Sequence, residues 1–123
     1  MKNSIKNKIL LIVKDWRKEL QNLVINEDIV AINFGAQKVT EGYELYLSGH
    51  TWFDGNDLWL MDIAWNPSKN YISLGVDSLN HDRLLILDAL EKEIKKELIH
   101  WAPLYDRLIV TVGLSDSDYI RLN

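Results

Sequence analysis

The run Gly42-Tyr43-Glu44-Leu45-Tyr46-Leu47-Ser48-Gly49-His50, with Phe53-Asp54-Gly55-Asn56-Asp57 and Leu58-Trp59-Leu60-Met61-Asp62-Ile63-Ala64-Trp65 behind it, decides the fold class of this chain. From Tyr43 onward the side chains alternate. Tyr43, Leu45 and Leu47 take one face, and Glu44, Tyr46, Ser48 and His50 the other, which is the period of a β-strand. Gly55 and Asn56 accept the positive φ angles of a hairpin turn, so residues 58–65 are expected to return as a further strand. That strand carries Leu58, Leu60 and Ala64 on one face and Trp59, Met61, Ile63 and Trp65 on the other. With apolar residues on both sides, it must be central or must expose an aromatic face.

Upstream, residues 28–34 read as a strand closed by Gly35, and residues 38–42 as a turn. Before them Ile5, Ile9, Ile12, Trp16, Leu20 and Leu23 recur at intervals of three and four, the signature of a helix with one buried stripe. Asn3 or Ser4 can cap this helix, which should end near Asn26. Downstream, Asn66-Pro67-Ser68 breaks the strand pattern and residues 71–76 offer a short fourth strand. A second helix is expected from Asn80 as its cap, with Leu79 stapled to Leu84. Its stripe is Leu84, Leu87, Leu90, Ile94, Leu98 and Trp101, Glu91 and Lys95 pair on its outer face, and Pro103 ends it. Residues 107–113 form the last main strand, and residues 119–122 a short edge. The expectation is a single α+β domain over residues 1–123, in the order α-β-β-β-(β)-α-β. Two amphipathic helices cover one face of an antiparallel sheet of four to five strands, and the other face is left partly open.

Composition narrows the function classes. No apolar run approaches the roughly 20 residues of a membrane-spanning helix, and the N-terminal apolar run is too short for a secretory signal. A cytoplasmic location is the expectation. Without cysteine there is no disulfide, thiol nucleophile or thiolate metal site. The net charge of −4 is unevenly spread: residues 1–20 hold six basic side chains against two acidic ones, whereas residues 21–66 hold seven acids against Lys38 alone. An acidic middle repels phosphate, and the lysines of the first helix surround it without an aromatic stacking platform, so nucleic acid is not the expected partner.

Catalytic and metal signatures are weak. His50, His81 and His100 lack the spacing that aligns two imidazoles on a helix. Ser48 and His50 share a strand face, so a hydroxyl and an imidazole can meet there, but no nucleophile elbow accompanies them. His50, Asp54 and Asp57 lack the alternation and closing glutamate of a calcium loop. Asp116 and Asp118 lie in a Ser/Asp run that turns use for side-chain capping. The expectation is therefore no enzyme, no metal and no cofactor. What remains is Trp52, Trp59 and Trp65 interleaved with Asp54, Asp57 and Asp62. Aromatic anchors beside carboxylates suit a surface for a basic protein. The candidate contact residues are His50, Trp52, Asp54, Asp57, Trp59 and Asp62.

The run from Gly42 to Gly49, followed by the acid- and tryptophan-rich stretch from Trp52 to Trp65 and by Asn66-Pro67, resembles small immunity proteins of bacterial contact-dependent and other polymorphic toxin systems. That resemblance implies a cytoplasmic inhibitor that binds and neutralises one toxin or effector. Two other readings stay open: an interaction or structural module, homodimeric through the open sheet face, and a small enzyme or ligand binder with a pocket between sheet and helices.

Overall fold

In the computed structural model, residues 3–23, 28–56, 58–98, 100, 108–113 and 119–123 are described. Helix α1 (Asn3–Leu23) leads to strands β1 (Ala31–Val39) and β2 (Gly42–His50). A 3-10 turn (Leu58–Met61), β3 (Ile72–Ser73), a second 3-10 turn (Val76–Asn80), helix α2 (Arg83–Leu98), β4 (Ile109–Gly113) and β5 (Tyr119–Arg121) follow. The fold is α+β as expected, and the five strands lie in the order β3-β2-β1-β4-β5. The sheet is mixed rather than wholly antiparallel: β4 runs parallel to β1, because the chain returns to β1's free side only after passing through α2. No helix among the described residues is long and apolar enough to cross a membrane.

Both helices cover the same face. The α1 stripe of Ile5, Ile9, Ile12, Trp16 and Leu20 is buried, and it shares one cluster with Ile86, Leu90 and Ile94 of α2. Ile32, Phe34 and Ala36 of β1, Tyr43, Leu45 and Leu47 of β2, and Val110 and Val112 of β4 complete that cluster. Trp16 sits at its centre, 5.7 Å from the Phe34 ring, and its indole N–H donates to the Lys69 carbonyl at 2.9 Å. Arg17 and the buried Glu97 join the two helices at 3.1 Å.

Several expectations need correction. β1 passes through Gly35 instead of ending there, and the turn shrinks to Thr40 and Glu41, between Val39 and its cross-strand partner Gly42. Glycine stands at position 35 because the Tyr46 ring lies across it; a Cβ there would fall on that ring and within 2.6 Å of the Gly113 carbonyl oxygen. Residues 58–65 are not a strand: only Trp65 bridges β2, at Gly49. The apolar residues on both faces are accommodated by a 3-10 turn, which buries Trp59 and Leu60 and turns Leu58 and Met61 outward. The cap of α2 is Asp82, whose carboxylate accepts from the Leu85 N–H at 2.9 Å; Asn80 belongs to the 3-10 turn before it. Leu84 is 76% exposed, so it neither staples to Leu79 nor joins the buried stripe, which passes through Ile86 instead. The Glu91–Lys95 pair forms at 3.8 Å. Asn26, Trp101, Pro103 and Arg107 lie outside the described residues.

The outer edge of β2 is closed piece by piece. Ser78 Oγ accepts from the Tyr43 N–H at 2.9 Å, β3 pairs with Glu44 and Leu45, and the Trp65 backbone meets Gly49. Between them, the Asn70 amide accepts from the Leu47 N–H at 2.9 Å and donates to the Leu47 carbonyl at 3.1 Å, taking the place of a strand residue.

Trp16→Ala should cost about 3–5 kcal/mol, as large aromatic truncations in a core do. Gly35→Ala should cost about 1–3 kcal/mol, because one methyl group must displace the Tyr46 ring. Urea melts measure both, and an unchanged midpoint for either variant would contradict the packing described.

Candidate functional site

Beyond His50 the chain leaves the sheet and folds back as a flap over the face opposite the helices. Its underside is aromatic. Trp59 is fully buried against Ala31, with Leu60, Phe53, Ile109 and Tyr119 around it. The rings meet edge to face, Trp59 to Phe53 at 5.0 Å and Trp59 to Tyr119 at 5.4 Å, a geometry that aromatic quadrupoles favour. The Trp59 indole N–H donates to the Asn56 carbonyl at 2.9 Å, so its one polar atom is satisfied.

Under the flap lies a row of buried polar groups. Asn33, Ser48 and Thr111 are cross-strand neighbours, and His50 is two residues beyond Ser48. Thr111 Oγ1 lies 2.8 Å from Asn33 Oδ1. His50 Nδ1 is 3.0 Å from the Asp62 carbonyl oxygen and Nε2 is 2.8 Å from Ser48 Oγ. A carbonyl only accepts, so Nδ1 carries the proton and Nε2 accepts from the serine hydroxyl. That is the spacing of a nucleophile beside its base. Both groups are nevertheless buried, and the Trp59 and imidazole ring centres stand 4.7 Å apart with their planes nearly perpendicular, so a substrate reaches them only if the flap lifts. In the closed state His50 latches the flap by holding the Asp62 backbone. Burial lowers the imidazole below its ordinary value of 6.5, against the opposing pull of the Asp62 and Trp59 backbone and the Asp62 charge.

The outer side of the flap is different. Trp52 (38% exposed), Leu58 (62%), Met61 (78%) and Ile63 (44%) face solvent, with Asp54 and Asp62 among them. Residues i and i+3 of a 3-10 turn lie one above the other, so Leu58 and Met61 project together. Trp52 donates its indole N–H to Asp62 Oδ2 at 2.8 Å, and Asp54 accepts from the Asn56 N–H at 2.8 Å to shape the bend. Of the six candidate contact residues, Trp52, Asp54 and Asp62 are exposed, and the indole bond sets Trp52 beside Asp62. His50 and Trp59 lie beneath the outer side of the flap and support it, since neither has surface to offer a partner. Asp57 lies outside the described residues. Leu58, Met61 and Ile63 were not among the candidates, and reading Leu58–Met61 with period three would have found the first two. Among the described residues no three His, Asp or Glu side chains gather as a metal site.

A second concavity, a cavity of about 300 Å³, lies between α2 and the β4–β5 edge, lined by Leu84, Leu87, Asp88, Val112, Tyr119 and Ile120. Its carboxylates are already engaged along the helix, Asp88 with Lys92 at 3.0 Å and Glu91 with Lys95.

Because the folded state holds His50 neutral while the unfolded chain takes up a proton near 6.5, stability should be full above that pH. It should then decline as the pH falls below it toward the lower folded value. Melting temperatures between pH 8 and pH 5 should show this decline, and His50→Gln should flatten it; identical slopes for the two proteins would refute the buried neutral imidazole. Comparison with protein-family models finds no match, and comparisons with curated proteins and with solved structures find none at a significant level.

Proposed function

We propose that this chain is an acidic binding protein that neutralises a partner toxin or effector by direct contact, in the manner of immunity proteins, and that the outer side of the flap is its contact surface. One observation carries the reading: four large apolar side chains, Trp52, Leu58, Met61 and Ile63, stand in solvent beside Asp54 and Asp62 on a segment whose underside is firmly packed. Isolated apolar residues on a surface are ordinary, but such a grouping rimmed by charge is typical of interaction sites. The acids would steer a basic partner and the apolar group would hold it. A cytoplasmic location belongs to the same proposal, since an inhibitor works where its target acts.

A homodimeric module is the second reading. It draws on Leu84 and Ile120, which are exposed at the cavity between α2 and β5, and sedimentation at micromolar concentration tests it.

The main test is co-expression with the toxin encoded beside the gene, read as growth rescue and as binding kinetics. Neutralising Asp54, Asp57 and Asp62 together should slow association most at low salt, with the melting temperature nearly unchanged. Leu58→Ala with Met61→Ala should speed dissociation at least about tenfold. Absence of rescue by the unaltered chain would overturn the proposal, and rescue undiminished by both sets of changes would place the interface elsewhere.

A further inference from the structure

We infer that Trp52 and Asp62 together form a receptor for an arginine side chain of the partner protein. This rests on the reading of the flap as a protein-contact surface and names the chemistry that its centre takes. The indole and the carboxylate are not independent surface groups. The 2.8 Å bond from the Trp52 Nε1–H to Asp62 Oδ2 fixes the ring at its polar edge while the ring remains 38% exposed. It uses one of the several acceptor positions of the carboxylate, and the other oxygen, Oδ1, is not the one the indole takes.

Among the described residues, no ion pair answers the charge of Asp62. Residues 51–66 contain no lysine, arginine or histidine. The ion pairs found among the described residues join Arg17 to Glu97, Lys92 to Asp88, Lys95 to Glu91 and Lys96 to Glu93, and none reaches Asp54 or Asp62. An aromatic face and a carboxylate outside those ion pairs thus lie side by side, in fixed relation.

A guanidinium satisfies both at once. It is planar, so it lies flat on the indole, while its N–H groups point outward in its own plane toward the carboxylate. An ammonium is a compact, strongly hydrated charge that must give up one contact to perfect the other. Met61, Leu58 and Ile63 supply apolar surface for the aliphatic stem and for excluding water around the pair. The flap holds one such contact already, on its other flank, where the Arg121 guanidinium stands 5.5 Å from the Phe53 ring centre.

The test is a nuclear magnetic resonance titration of the ¹⁵N-labelled full chain, following the Trp52 indole N–H signal. The probes are three blocked tripeptides, Gly-X-Gly, in which X is arginine, lysine or citrulline, the neutral isostere of arginine. The arginine peptide should shift the Trp52 signal saturably. The lysine peptide should bind at least about fivefold more weakly, and the citrulline peptide should leave the signal in place. Asp62→Asn should abolish the arginine response in a chain that melts normally, the indole bond being retained by the amide oxygen. No shift with the arginine peptide, or equal responses to arginine and lysine, would overturn the inference. Growth rescue by the unaltered chain would survive that failure, which separates it from a failure of the immunity reading itself.

Discussion

Over residues 31–36, β1 has no face turned to water, and the rest of the molecule answers to that. Ile32, Phe34 and Ala36 lie beneath the helices, and Ala31, Asn33 and Gly35 look the other way and are as deeply enclosed. A strand hemmed in by β2 and β4 satisfies its backbone within the sheet, but its second face must still be roofed. Tyr46 roofs Gly35 by lying over it, and Trp59 roofs Ala31 by reaching in from the flap. The polar side chains enclosed in the process have to find partners, since an unpaired buried group costs roughly 1–3 kcal/mol. Asn33 with Thr111, and Ser48 with His50, are those pairings.

The flap follows from the same constraint. A short segment cannot bury both of its sides, so what it packs inward determines what it leaves outward. By placing Trp59 and Leu60 against the sheet, the 3-10 turn presents Leu58 and Met61 to solvent. The candidate contact surface is the unburied remainder of a structural lid, and its rigidity comes from the aromatic cluster below. The two faces therefore differ in what they hold: the underside carries the packing of the segment, and the proposed contact residues lie on top.

Much of the fold was legible because its signals are local. The α1 stripe and the alternation of β2 each follow from one periodicity, and both lie as expected. Residues 58–65 were misread because period two and period three fit the same apolar string, and nothing local says that Tyr46 and the flap will share the far face. The α2 stripe lies as expected at Leu87, Leu90 and Ile94 and differs at its start, where Ile86 takes the place of Leu84: Leu84, Leu85, Ile86 and Leu87 are consecutive, and only the neighbours of Ile86 single it out. Of the candidate contact residues, Trp52, Asp54 and Asp62 are exposed, as a contact role requires, whereas His50 and Trp59 are enclosed. The cover over them comes from residues distant in sequence, which a single strand's pattern cannot announce.

The closed edge of β2 bears on how the protein fails. Asn70, Ser78, β3 and Trp65 occupy the hydrogen-bonding positions at one side of the sheet, and β5 ends the other. Runaway strand stacking requires two open borders, so that each molecule accepts one neighbour and offers itself to the next. With β2 covered in this way, the border on that side is the two-residue β3, and strand addition to β2 itself would first require the small amide of Asn70 and its companions to let go.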